Sequence, residues 1–174
     1  MKKNEMRNWQ DKAAKALAEA SIVITESEKE SIEIADFGLN KFEEVGLAIL
    51  TYVNTSRVCA KELIMLPNQI CPEHRHPNRG QELGKEETFR CRKGQVSLYI
   101  CNNPNSDETK DNNYETNNSY SIYKRVVLNE GEQYTISPDT NHWFKAGLEG
   151  AIVSEFSTTS TDELDIFMDP KIIR

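Results

Sequence analysis

The sequence predicts an all-β barrel or sandwich with one helix, placed at its N-terminal end. Three observations predict it. Apolar residues at helical spacing are confined to residues 5–20. From Ser31 onward the apolar residues fall in short runs rich in β-branched side chains, several of them alternating in polarity. Clusters of Asn, Asp, Ser and Gly separate most of these runs, as turns between short strands require.

Taken in order, Met6, Trp9, Ala13, Ala16, Leu17 and Ala20 recur at spacings of three and four, uninterrupted by proline, and give residues 5–20 an amphipathic helix. Ile22-Val23-Ile24 is β-branched and short, and residues 31–37 alternate as a strand does. Residues 47–53 and 58–66 are apolar runs joined through Asn54-Thr55-Ser56-Arg57, which reads as a hairpin. Further strands are expected at 69–75, 86–92, 95–101, 121–127, 133–137, 142–146 and 151–157, with turns at Gly94, at Asn129-Glu130-Gly131 and from Gly147 to Gly150. Residues 102–120 are almost entirely Asn, Asp, Ser, Thr and Glu around Tyr114, a long hairpin loop that reads as solvated linker, with a substrate lid as the alternative. The expected organisation is one domain over 1–174, with a helical extension at 1–25 and the barrel at 32–174.

The 174 residues carry a formal net charge of -7, and 28% of them are charged. No basic face is visible, so nucleic acid is not an expected partner. No apolar run approaches the roughly 20 residues that cross a bilayer, so a membrane is not one either. The N-terminal stretch MKKNEMRNWQDKAAKALAEA starts basic but has no apolar centre of the kind a secretory signal needs, and a cytoplasmic location is expected. Cys59, Cys71, Cys91 and Cys101 show no C-x-x-C spacing; buried free thiols are the expectation.

All three histidines of the chain lie in two short motifs, Pro72-Glu73-His74-Arg75-His76 and Pro138-Asp139-Thr140-Asn141-His142. His74 and His76 are spaced i, i+2, which in an extended strand puts both imidazoles on one face. A third imidazole and a carboxylate arriving from other strands would complete a His3Glu metal site with positions left open. Glu82, Glu86 and Glu87 are the candidates for that carboxylate. In a strand from Lys85 to Arg92, Glu87 shares its face with Phe89 and Cys91, whereas Glu86, Thr88, Arg90 and Arg92 form a polar face. Glu87 therefore points inward, where a carboxylate needs a cation beside it. Lys85 has the same parity, and Glu82 falls in a glycine-bounded loop. Mixed imidazole and carboxylate ligands suit Mn(II), Fe(II), Co(II) or catalytic zinc better than a closed structural zinc.

These residues also resemble known motifs. His74-x-His76 with Glu87 and Gly94 resembles the first cupin motif, and Gly131, Pro138 and His142 resemble the second. The interval between His76 and Glu87 is longer than cupins commonly show. With that interval, the strings Asp36-Phe37-Gly38-Leu39, Thr51-Tyr52-Val53-Asn54, Ala60-Lys61-Glu62-Leu63, Cys71-Pro72-Glu73-His74-Arg75-His76-Pro77 and Gly84-Lys85-Glu86-Glu87-Thr88-Phe89-Arg90-Cys91 resemble the bacterial D-lyxose isomerases. Thr161-Asp162-Glu163-Leu164-Asp165 and Arg174 fit the same group, and the similarity runs over about 32–174. The resemblance implies a cupin barrel, that is, a jelly-roll-like double-stranded β-helix. It also implies Mn2+ as cofactor (with Co2+, Fe2+ and Zn2+ as other divalent ions), a free small sugar as substrate and a homodimer. The implied reaction interconverts D-lyxose and D-xylulose, with D-mannose and D-fructose as a second pair, by proton transfer through a metal-stabilised enediolate.

Such a reaction needs a general base besides the metal ligands. Glu155 is the first choice, because it interrupts the apolar strand Ala151-Ile152-Val153…Phe156. Lys85 is expected to polarise a substrate oxygen or shuttle a proton, its pKa depressed by the metal, unless it pairs with Glu82 or Glu86. Lys61 is charged within an apolar run, and strand parity allows only one of Lys61 and Glu62 into the cavity. Lys61, Asp165 and Arg174 are the candidate substrate contacts, and one ring of Trp143 and Phe144 is expected on the cavity wall. Two other functions use the same ligand set: an Fe(II) cupin dioxygenase and a non-catalytic sugar-binding cupin. No compact Arg/Lys cluster or glycine-rich loop points to a phosphorylated sugar.

Overall fold

Helix α1 (Lys3–Glu19) opens the chain and buries Trp9, Ala13 and Leu17, one residue per turn of a single stripe. The computed structural model describes residues 1–101, 114–115 and 123–173. Residues 22–24 form no strand; they lead into a short helix, α2 (Glu26–Ser31), that the apolar pattern does not announce. Its signal lies in the capping box instead. Thr25 Oγ1 accepts from the Glu28 backbone at 3.1 Å, and the Glu28 carboxylate accepts from the Thr25 backbone at 2.7 Å.

The strands follow as β1 (Glu33–Ala35), β2 (Leu47–Asn54), β3 (Cys59–Met65), β4 (Ile70–Arg75), β5 (Glu87–Cys101), β6 (Tyr114–Glu115), β7 (Tyr123–Asn129), β8 (Gln133–Ile136), β9 (His142–Ser157) and β10 (Ile166–Phe167). The hairpin of β2 and β3 is as expected, whereas β10 is not anticipated by the alternation pattern. The expectation of a linker or lid at 102–120 falls outside the described residues except at Tyr114–Glu115, and so does Arg174.

Two pairs of expected strands are each a single long strand. Residues 86–92 and 95–101 merge in β5, and 142–146 and 151–157 merge in β9. The glycines that were expected to end them bend them instead. Gly94 has φ 72°, and a Cβ on it would lie 2.3 Å from the Gly150 carbonyl oxygen. The β5–β9 register shifts on either side of Gly94, the mark of bulges that let paired strands turn a corner without parting.

The path through the sheet is β1-β2-β3-β9-β5-β7-β6, with β4 on β9 and β10, and β8 on β5; every one of these strand pairs is antiparallel. Because β5 and β9 pair along both of their halves, the sheet curls into the expected cupin barrel. Leu63, Phe89, Cys91, Leu98, Phe144 and Val153 are among the residues filling its interior. On the outer face, Trp9, Ala13 and Leu17 of α1 cover Ala48, Leu50, Ile64 and Ile152 in a second core. β2 and β3 are therefore covered on both faces where α1 lies, which is why 47–50 and 62–65 are continuously buried. Cys59, Cys71 and Cys91 are buried free thiols, as expected. No helix among the described residues is long and apolar enough to cross a membrane.

Candidate active site

Four elements bring the site together at one end of the barrel. β4 carries His74, with His76 just beyond its end. β9 begins at His142, in register with His74, and β5 begins at Glu87. The loop before β9 is tied to β4 by an ion pair of 2.5 Å between Arg75 and Asp139. β10 pairs with Arg75 and His74 and stacks the Phe167 ring on His74 at 5.3 Å. All three imidazoles and Glu87 are buried.

The hydrogen bonds on the far side of each ring fix which nitrogen faces inward. The Nδ1 atoms of His74, His76 and His142 lie 2.8, 2.5 and 2.9 Å from the Pro72 carbonyl, the Asp165 carboxylate and the Thr140 carbonyl. Each Nδ1 thus donates to an oxygen, and each Nε2 is left to face the others. One ring nitrogen from each histidine lies within 4.8 Å of the other two. The Glu87 Oε2 atom is 3.0 Å from His76 Nε2 and 3.2 Å from His142 Nε2, and these three buried atoms have no hydrogen-bond partner among the described residues. Converging lone pairs around a buried carboxylate oxygen repel one another unless a cation lies between them. The donor set therefore fits a divalent metal ion.

The same contacts shift the titrating groups of the site. Burial, with His142 and His76 adding to it, holds His74 well below the usual imidazole range. Burial also lowers His76, but Glu87 and Asp165 outweigh it and raise it to about 9. A second proton on His76 and a metal ion are thus alternatives for the same lone pair. Burial raises Glu87, but Lys85 and His76 outweigh it and hold the carboxyl well below its usual range.

Beside the ligands lies a second group of buried charges. Lys85 Nζ donates to Glu87 Oε1 at 2.7 Å and to Glu155 Oε1 at 3.1 Å, and stands 3.8 Å from Asp162 Oδ1. Lys61 Nζ donates to Ser160 Oγ at 2.9 Å and to Asp162 Oδ2 at 2.8 Å, and the Ser160 hydroxyl donates to Asp162. With His76 neutral, Glu87, Glu155, Asp162 and Asp165 against Lys61 and Lys85 leave two negative charges, which one divalent cation would neutralise. Between these groups and the metal ligands is a space of about 20 Å³.

The structure brings together His74, His76, Glu87, His142, Lys85, Glu155, Lys61 and Asp165; strand parity accounts for His74 with His76 and for Glu87, and leaves the choice between Lys61 and Glu62 to the structure. Two expectations change. Lys85 pairs with Glu87 and Glu155, not with Glu82 or Glu86; burial lowers its pKa, but the carboxylates of Glu87, Glu155 and Asp162 outweigh burial and raise it. Asp165, expected as a substrate contact, is engaged by His76 Nδ1. Glu62 does point away from the cavity as parity requires, yet it is as buried as Lys61, because Ser154 and the outer core enclose it. Phe144 is the ring on the inner wall; Trp143 stacks on Tyr99 on the other face. Asp162 is the residue that reading single strands missed. The buried Lys61 signals that some acid must come to it, but not which one.

The D-lyxose isomerase family model matches residues 4–174. The chain is 52% identical over 178 residues to a protein of Thermosediminibacter oceani named D-lyxose/D-mannose isomerase, covering 100% of this chain and 96% of that protein. It is 52% identical over 172 residues to the D-lyxose ketol-isomerase of a Thermofilum species, covering 99% of this chain and 96% of the relative. Among solved structures, the L-ribose isomerase of Acinetobacter sp. DL28 in complex with L-ribose superposes with a TM-score of 0.78 at 16% identity, covering 99% of this chain and 94% of that one.

Proposed function

Since this chain belongs to the D-lyxose isomerase family, an aldose–ketose isomerase family, we propose that it interconverts D-lyxose and D-xylulose, with D-mannose and D-fructose as a second pair, using manganese. The observation that carries this reading is the convergence of three imidazole nitrogens and Glu87 Oε2 next to the Lys85–Glu155 pair. A divalent ion bound by His74, His76, His142 and Glu87 would supply Lewis acidity at the carbonyl and neighbouring hydroxyl of the sugar.

The remaining work falls to the chain itself. Isomerisation moves a proton from C2 to C1 and another from the C2 hydroxyl to the C1 oxygen, so no oxidant or reductant is consumed. Glu155, held by Lys85 and by Ser157 Oγ at 3.3 Å, is the carboxylate that takes the C2 proton and returns it to C1. Lys85 stays charged and orients Glu155 while it also holds the second oxygen of Glu87. Lys61 and the expected contact Arg174 belong to the substrate's hydroxyls in this reading; Lys61 reaches them when Asp162 gives way. The pairing of two copies is also part of the proposal, supported by Tyr52 and Phe156, both about half exposed on the strands of the outer face.

Purified protein with Mn(II) is expected to convert lyxose to xylulose and to lose that activity on chelation. No turnover of any pentose or hexose with metal restored would overturn the proposal.

A further inference from the structure

The residues between His76 and Glu87, in excess of what the metal motif needs, build one wall of a second cavity of about 410 Å³. Their fold is fixed locally. Arg79 and Glu82 exchange two backbone hydrogen bonds of 2.8 and 2.9 Å, and the Gly84 N–H donates to Asn78 Oδ1 at 2.7 Å. A Cβ on Gly84 would lie 2.0 Å from the His76 carbonyl oxygen, so the loop returns tightly on the metal ligand. The opposite wall is the stretch from Thr158 to Asp165, and Arg79 Nη2 reaches across to Thr161 Oγ1 at 2.9 Å.

This cavity shares His76, Lys85 and Asp165 with the inner space around the metal ligands, so the two are adjacent compartments of one site. The inner space of about 20 Å³ is too small for a sugar ring, so a bound pentose itself extends into this cavity, whose volume falls within the roughly 300–1,000 Å³ of clefts that enclose ligands much larger than a pentose. The lining has two characters. Ser56, Thr158, Thr159 and Thr161 offer hydroxyls, and Leu83, 77% exposed, offers an apolar surface at the rim. A pyranose ring has the matching halves, hydroxyls at its edge and C–H groups on its faces. The charges are balanced. Lys85 is already committed to Glu87 and Glu155, and Asp165 to His76, which leaves Arg79 against Glu82. A phosphate would need a surplus of cations here; a neutral group does not.

We propose that this outer cavity is a subsite for a neutral glycosyl substituent on the terminal carbon of the sugar. The protein then isomerises the reducing-end unit of a terminally linked disaccharide as well as free sugars. Arg79, which has guanidinium donors beyond the one on Thr161, binds hydroxyls of the second ring. The proposal rests on the isomerase reading above and extends it to a substrate class.

The experiment compares lyxose, mannose, 6-O-α-mannopyranosyl-mannose and mannose 6-phosphate as substrates of the metal-loaded protein, with Arg79→Ala alongside the wild type. The expected result is turnover of the disaccharide to its ketose at an efficiency above that of mannose 6-phosphate. In Arg79→Ala, the ratio of kcat/KM for the disaccharide to that for lyxose should fall about tenfold, as for one lost charged donor. Arg79 is exposed, so the variant keeps the fold, and the lyxose rate in the same preparation verifies this. Turnover of lyxose without turnover of the disaccharide overturns the subsite and leaves the isomerase reading standing. A preference for the phosphate, or a ratio unmoved by Arg79→Ala, also overturns it. Failure with every sugar overturns the isomerase reading itself, and the subsite with it.

Discussion

Each histidine of the site owes its inward Nε2 to an oxygen behind it, and Asp165 is the one such oxygen that belongs to a side chain. Asp165→Ala should therefore weaken metal binding by about 10–100-fold, the usual cost of losing such a partner. Competition with a chelator measures this. Unchanged metal affinity with a raised KM would return Asp165 to the substrate-contact role first expected of it. Glu155 makes a different prediction, because it is linked to Glu87 through Lys85, which pairs with both. Glu155→Gln should lower kcat by roughly 10²–10⁴, the share of a positioned general base, while metal content stays at the wild-type level. Near-normal kcat would remove Glu155 from the chemistry. At this scale much was legible from alternation alone: Glu87, Phe89 and Cys91 are buried where Glu86 and Arg92 are exposed. Asp162 was not, because its partner Lys61 lies 101 residues away, and parity within one strand says nothing about which segment returns to it.

The elements show where local pattern stops being informative. Gly94 and Gly150 read as turns because glycine commonly ends strands, yet here each lets a long strand bend against the other. Only the crossing partner decides between those outcomes, and it is distant in sequence. α2 carries its signal in the Thr25–Glu28 box, not in apolar periodicity. β3 has a cost hidden by its regular pattern. Glu62 is 3% exposed, its Oε2 has no hydrogen-bond partner among the described residues, and burial raises its pKa above the ordinary 4.5. Between 4.5 and the raised value the folded state holds the proton more tightly than the unfolded one, so stability falls as pH rises through that window. Above it, the native protein carries a buried charge. Glu62→Gln keeps an acceptor for Ser154 Oγ and removes that charge. Its Tm should exceed the wild type's at neutral pH and converge with it below pH 4.5. A lower Tm at neutral pH would mean that the attraction of Arg92, 3.9 Å away, outweighs desolvation.

The whole molecule is a curled sheet whose two faces have separate duties. The inner face ends in the charged site, and the outer face takes α1 against β2, β3 and β9. The barrel was legible because short alternating runs leave few other ways to bury one face of each strand. Its closure was less so, since the pairings of β9 with β3, β4 and β5 depend on bends that no single run reveals. What the closure accomplishes is a meeting of residues from the ends of β4, β5 and β9 around one point. Titration of the metal-free protein with Mn(II), following the free-ion signal by electron paramagnetic resonance, tests that meeting most directly. One tight site per chain is predicted for the wild type, and none for His142→Ala with its fold intact by circular dichroism. Equal tight binding by the variant would contradict the account.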